Sequence, residues 1–183
     1  ISNVKNKFKL FENYLLYVGS IEKRKNLLTL LESLKNLPNK NLIIIGEGTS
    51  YKKECLDFIK KNKLENRTKI LSGLNLFEMA CIYQDTEMLI YPSIFEGFGI
   101  PIVEALFSKI PVITSRDGCF KEAGGENSIY INPLSSKEIT NAINKISNDK
   151  NLKNKMIEKG YNFAQNFTDK KIANNLMEVY NSL

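Results

Sequence analysis

Short runs of largely uninterrupted apolar residues recur along the chain, separated by longer amphipathic stretches. At 14–18, 42–45, 69–71, 88–91, 111–114 and 129–131 the runs are continuous rather than alternating, as strands buried on both faces of a parallel sheet require. Between them, Leu27, Leu30, Leu31, Leu34 and Leu37 repeat at helical spacing before Pro38. Tyr51, Cys55, Phe58 and Ile59 mark a second helix. Asn75 followed by Glu78 forms a capping-box pattern ahead of Met79, Ile82 and Tyr83, and Ser135 with Glu138 repeats it ahead of Ile139, Ala142, Ile143 and Ile146. Two further helices are expected over 152–167 and 168–180. This alternation predicts an α/β fold: a Rossmann-like, doubly wound, mainly parallel sheet with helices on both faces. The strand order is not readable from the sequence.

The length of 183 residues suits one sizeable core. The 26 Lys and Arg against 20 Asp and Glu give a net charge of +6, which favours anionic partners. The lysines are scattered and often stand beside asparagine, so they read as solvated helix faces rather than a nucleic-acid patch. With no histidine, neither a Ser-His-Asp triad nor a histidine metal site can be built from this chain. Cys55, Cys81 and Cys119 fit no disulfide or zinc spacing and read as reduced cytoplasmic thiols. There is neither a bilayer-spanning apolar run nor a signal peptide. The polar, lysine-rich residues 1–13, which begin without methionine, read as a linker.

In a doubly wound sheet, ligands bind beyond the carboxyl ends of the strands. Glycine-rich and charged punctuation falls there: Gly19 to Lys25, Gly46-Glu47-Gly48, Ser72-Gly73-Leu74, and the stretch from Pro92 to Pro101. In that last stretch Gly97 and Gly99 permit unusual torsions, and Pro101 suits a first helical turn. The amides of Phe98, Gly99 and Ile100 could converge on an anion with a helix dipole behind them. Glu104, one turn further on, is suited to accept both hydrogens of a ribose diol. A solvated glycine loop is the competing reading. Arg24 and Lys25 could clamp a diphosphate; taken alone, that turn reads first as three exposed charges. Gly46 and Gly48 lack the third glycine of a dinucleotide loop and read as a simple turn. Gly73 and Leu74 could admit a nucleobase edge, or be a tight turn.

Two segments together resemble a known family. Gly19-Ser20-Ile21-Glu22-Lys23-Arg24-Lys25-Asn26 is similar to the G-x-x-x-x-R-K-N segment of bacterial mannosyltransferase-like enzymes. Pro92-Ser93-Ile94-Phe95-Glu96-Gly97-Phe98-Gly99-Ile100-Pro101-Ile102-Val103-Glu104-Ala105 resembles their P-S-x-x-E-G-F-G-x-P-x-x-E-A signature, the E-x7-E motif. These are the retaining glycosyltransferases of family four, with the two-domain GT-B fold, and the resemblance runs from residue 14 onward.

The resemblance implies that 14–183 is the nucleotide-sugar-binding half of a GT-B enzyme, and that 1–13 leads from an N-terminal acceptor domain absent from the sequence. It implies transfer of a hexose, with retention, from a nucleotide-diphosphate sugar to a glycan or lipid-linked acceptor, as in polysaccharide biosynthesis. Arg24 and Lys25 would neutralise the donor diphosphate, with Gly19 and Ser20 beside them. Glu96 and the loop Gly97, Phe98, Gly99 and Ile100 would contact the transferred sugar and phosphate. Glu104 would hold the ribose, and Gly73 and Leu74 would border the base. No metal and no cofactor is expected, nor any nucleic-acid partner. The expected location is the cytoplasm, with peripheral contact at the inner membrane face as the one membrane association left open. Ser20 stands where many relatives carry arginine, and Lys121 where a proline usually precedes the equivalent of Glu122. An epimerase-like half-domain and a non-catalytic nucleotide-binding module are the alternatives. The isolated domain is expected to fold without transferring sugar.

Overall fold

The computed structural model describes residues 1–48 and 50–182. Six parallel strands, β1 (Leu15–Val18), β2 (Leu42–Ile45), β3 (Thr68–Leu71), β4 (Met88–Tyr91), β5 (Val112–Ser115) and β6 (Ile129–Ile131), form one sheet in the order β3-β2-β1-β4-β5-β6. Every residue of β1, β2, β4 and β5 is buried, which explains their unbroken apolar runs. At one edge β3 is only partly covered, and it tolerates Thr68 and Lys69.

Two helical layers cover the faces. On one side α2 (Leu27–Lys35), α3 (Ser50–Lys61) and α7 (Ser136–Asn148) pack against Leu15, Tyr17, Leu42, Ile44, Met88 and Ile90. On the other, α1 (Ser2–Phe8), α4 (Leu76–Asp85), α5 (Ile100–Phe107) and α6 (Phe120–Gly124) cover Leu16, Val18, Ile43, Ile45, Leu89 and Tyr91. Next along the chain, α8 (Lys150–Ala164) gives Met156 to the first layer and Ala164 to the second. The last helix, α9 (Asp169–Asn181), buries no residue and leaves Ile172, Leu176, Val179 and Tyr180 exposed.

Alternation along each strand thus sends neighbours to opposite cores, the period-two consequence of the pleat. The doubly wound expectation holds, and the strand order supplies what the sequence lacked. The order of strands along the sheet reverses between β1 and β4, the place where doubly wound sheets form a crevice at the strands' carboxyl ends.

Two local details differ from the sequence reading. The segment read as a linker contains α1, whose Val4 is buried and whose Lys5 pairs with Asp85 at 3.1 Å on α4. Lys7 pairs with Glu78 of the same helix. At α4 the capping box is complete: Asn75 Oδ1 accepts from the Glu78 amide at 2.9 Å, and Glu78 Oε2 accepts from the Asn75 amide at 3.0 Å. At α7 only Ser135 caps, because the Glu138 carboxylate turns away to accept from the Asn132 amide at 2.9 Å and to pair with Arg116. No helix among the described residues is long and apolar enough to cross a membrane.

Candidate functional site

The crevice is built from the loops that leave β1 and β4. After β1 the chain passes Gly19, with φ of 147°, whose amide donates to the Ile45 carbonyl at 3.0 Å. A Cβ at Gly46 would stand 1.9 Å from the Gly19 carbonyl oxygen, and one at Gly48 would stand 2.4 Å from that of Ile21. Gly48 and Ile21 pair as an isolated parallel bridge. Gly46-Glu47-Gly48 therefore clasps the β1 loop from below, a backbone contact that any side chain would block. Tyr17 donates its hydroxyl to the Ser20 carbonyl at 3.2 Å from within the core.

Beyond Ser20, the turn Lys23–Lys25 leads to Asn26, in the left-handed region with φ of 58°. Asparagine tolerates that conformation better than most residues, and here its side chain also stitches loops together. Asn26 Nδ2 donates to the Pro92 carbonyl at 3.1 Å and the Pro133 carbonyl at 2.6 Å, and its Oδ1 accepts from Thr29. The Ile94 amide donates to the Arg24 carbonyl at 2.7 Å. The loops after β1, β4 and β6 are thereby locked to one another.

The result is a compact ionic group. Lys25 Nζ stands 2.6 Å from Glu96 Oε1 and donates to the Tyr91 hydroxyl at 2.8 Å. Arg24 Nη1 donates to Glu96 Oε2 at 3.2 Å and to the Phe95 carbonyl at 3.3 Å, while its Nε reaches Glu22 at 3.1 Å. Lys25 is only 8% exposed, so the reading of that turn as three solvated charges does not hold for Lys25. Burial by itself would raise the Glu96 carboxyl. The Lys25 ammonium, with the Ser93 and Tyr91 hydroxyls close by, outweighs that burial and holds it below the usual carboxylate range.

From Glu96 the chain enters the glycine loop. Gly97 faces open space, whereas Gly99 has φ of 107° and stands at the N-cap of α5, with Pro101 in its first turn. Among the described residues the amides of Phe98, Gly99 and Ile100 have no acceptor outside the helix. The Phe98 ring packs away from the rim onto Phe167, with centroids 5.6 Å apart. Beneath the loop, Cys119 Sγ lies 3.2 Å from the Glu96 carbonyl oxygen and 3.4 Å from that of Phe98.

Glu104 lies on α5 in a separate setting. It is solvent-exposed and accepts from the Tyr83 hydroxyl at 2.8 Å, at the edge of a cleft of about 250 Å³ between α4 and α5 that Leu76, Met79 and Phe107 help to line. Gly73, with φ of 68°, has no neighbour where its Cβ would be, and partly buried Leu74 follows it at the exit of the edge strand β3. Among the described residues no hydrogen bond or ion pair joins Glu104, Gly73 or Leu74 to the Lys25–Glu96 group. Lys121 pairs with Glu126 on the surface at 3.0 Å.

The structure thus brings Arg24, Lys25 and Glu96 into contact, with Gly19 packed against Lys25 and Gly97 to Ile100 running directly on from Glu96. Sequence reasoning gave no role to Asn26, Tyr91, Ser93 or Tyr83. Asn26 stood inside the quoted R-K-N segment, and a hydroxyl-bearing aromatic at the carboxyl end of a strand was a signal that could have marked Tyr91.

The family model described as glycosyl transferases group 1 matches residues 2–163. The O-antigen chain mannosyltransferase RfbU of Salmonella typhimurium is 34% identical over 136 residues, which are 74% of this chain and 38% of that protein. The crystal structure of the C-terminal domain of a glycosyl transferase group 1 family protein, LpcC from Francisella tularensis, superimposes with a TM-score of 0.77 at 25% identity, covering 90% of this chain and 91% of that one. HepE of Anabaena, solved in complex with UDP and glucose, gives a TM-score of 0.88 at 24% identity and covers 100% of this chain and 52% of HepE. The matched part of the chain covers well under half the length of its Salmonella relative.

Proposed function

The chain belongs to the glycosyl transferases group 1 family, and from that premise we propose that it is the donor-binding half of a hexosyltransferase, holding a nucleoside-diphosphate sugar in the crevice between β1 and β4. The observation that carries this reading is the convergence of Arg24, Lys25 and Glu96 at the point where the strand order reverses. A diphosphate needs fixed positive charge, and Arg24 and Lys25 supply it from one turn. Glu96, on the opposite lip, is an ionised acceptor suited to sugar hydroxyls. The unpaired amides at the start of α5 add oriented dipoles.

In this reading the donor's leaving nucleotide gains charge as the glycosidic bond breaks. Arg24, Lys25 and the loop amides stabilise that charge where it develops, which is where preorganised dipoles contribute most. Basic side chains then do the work that a metal ion does in other transferases. Glu104 takes the ribose diol, and the exit of β3 at Gly73 and Leu74 borders the base. HepE binds UDP and glucose on the same fold, and the Salmonella relative is a mannosyltransferase of O-antigen synthesis. The first supports a nucleotide-sugar donor and the second a polysaccharide acceptor. Retention of configuration, and a place in the cytoplasm or at the inner membrane face, are part of the same proposal. The acceptor would be held by a further domain, so the 183-residue chain is expected to bind donor without transferring sugar.

A thermal-shift panel of nucleoside-diphosphate sugars tests this. One UDP- or GDP-linked hexose should raise the unfolding midpoint, and the free sugar should not. No shift with any donor, together with salt-sensitive binding to arbitrary DNA, would overturn the reading in favour of a nucleic-acid-binding module. Efficient transfer to acceptor by the chain alone would overturn the need for a second domain.

A further inference from the structure

Lys25 is the buried member of the cationic turn, and its surroundings are more specific than neutralisation requires. An ammonium has three hydrogens to place. One is donated to the Tyr91 hydroxyl oxygen at 2.8 Å, while Glu96 Oε1 lies 2.6 Å away as an ion-pair partner. Gly19 closes the side of its stem, since a Cβ there would stand 3.5 Å from Lys25 Cδ and 3.6 Å from Nζ. The Tyr91 bond thus uses one of the three hydrogens and leaves donor capacity on the ammonium for a ligand.

The two acceptors differ in kind. Glu96 attracts the ammonium by charge and, unopposed, would draw it into a closed pair with little field left for a phosphate. Tyr91 is 1% exposed, and its ring is fixed edge-on against Phe120 with centroids 6.3 Å apart. Its carbonyl accepts from Thr114 Oγ1 at 2.9 Å, which ties the residue to β5. Burial and the nearby Glu96 charge push its phenol well above the ordinary tyrosine range, so it stays neutral.

We propose that Tyr91 is a positioning residue of the diphosphate clamp: its neutral hydroxyl holds the Lys25 ammonium at a fixed place without cancelling its charge. This rests on the reading of Arg24 and Lys25 as that clamp. In this proposal Tyr91 contacts neither donor nor sugar; it acts through Lys25, and its contact with Glu96 holds the other side of the same ion pair.

The test is a double-mutant cycle read by calorimetric titration with UDP and GDP, using the parent, Tyr91→Phe, Lys25→Met and the combined variant. Tyr91→Phe keeps the ring on Phe120 and should bind the diphosphate about five- to tenfold more weakly, the effect of one lost charge-assisted hydrogen bond. Uridine and guanosine should bind as before. Lys25→Met should cost more, and adding Tyr91→Phe to it should change affinity by less than about twofold, because the hydroxyl then has no ammonium to hold. Additive losses would make Tyr91 a structural residue of the loop and overturn the proposal. So would full affinity in Tyr91→Phe when Lys25→Met is weakened, which would leave the clamp itself standing. A parent chain that binds neither nucleotide removes the clamp and this inference together. If Tyr91→Phe does not fold, ring-fluorinated tyrosine at position 91 keeps the shape and weakens the oxygen as an acceptor. Reduced UDP or GDP affinity is then expected, and unchanged affinity overturns the proposal.

Discussion

Glu96 and Glu104 bracket one motif, eight residues apart, yet their surroundings have little in common. The side chain of Glu96 is about 10% exposed, lies on two cations, and is anchored by loops from three strands through Asn26 and the Arg24 carbonyl. Glu104 is exposed on α5 and has one neighbour of consequence, the Tyr83 hydroxyl at 2.8 Å. The difference teaches that one carboxylate is part of the architecture and the other is a free acceptor. The first must already be ionised and held before any ligand arrives. The second can change partners when a ligand enters.

The largest expected separation is in stability. Glu96→Gln leaves the buried Lys25 ammonium opposite a neutral amide, so equilibrium urea unfolding should show a loss of roughly 2–3 kcal/mol. Glu104→Gln keeps an oxygen for Tyr83 and should stay within about 0.5 kcal/mol of the parent, as surface changes usually do. Equal losses in the two variants would break the comparison.

Ligand binding sharpens it at a smaller scale. Glu104→Gln should weaken the free nucleoside diphosphate and the complete nucleotide-sugar alike, by about 1–2 kcal/mol. Glu96→Gln should weaken the sugar-bearing donor, and it should not weaken the sugar-free nucleotide, because it frees the Arg24 and Lys25 charges that hold the diphosphate. Calorimetric titration of both variants with both ligands gives the pattern, and equal losses for the two ligands in Glu96→Gln would move Glu96 from the sugar to the nucleotide.

The smallest effect is in pH dependence. The folded pKa of Glu96 is depressed, so its contribution is fully present above the unfolded carboxylate value of about 4.3 and is lost as pH falls through the lower folded value. Glu78, held down first by its hydrogen bond with Lys7, and Glu138, held down first by the Asn132 amide, shift the same way. Both are shared by parent and Glu96→Gln, so they cancel in the difference. Urea midpoints between pH 7 and 3 should show the parent's advantage over Glu96→Gln steady above about pH 5 and shrinking below about pH 4. An advantage that persists undiminished to pH 3 would show that the Glu96 charge is not what stabilises the loop.

Much of the candidate site was legible as a grouping because it is carried by short contiguous segments. The glycines at 97 and 99, the proline at 101 and the two glutamates keep fixed spacing in any fold that places a strand before them and a helix after. What escaped was relational. Tyr91 looked like the last apolar residue of a strand, and Asn26 was only the closing letter of the R-K-N segment. Each gains its role only by touching a segment 66 positions away in the sequence. The same holds for α1: Lys5 and Lys7 read as solvated until Asp85 and Glu78 are known to face them.

By itself the sequence determined the class of this protein. Continuous apolar runs alternating with amphipathic stretches admit few arrangements other than a buried parallel sheet between helical layers, because each strand must bury both faces. The tertiary structure alone decided that β1 and β4 are neighbours and that the order reverses there. Strand neighbours are chosen by the packing of whole layers and by crossover handedness, which no local spacing encodes. That choice lays the Lys25 ammonium against the Glu96 carboxylate and the Tyr91 hydroxyl, and turns three scattered residues into one site.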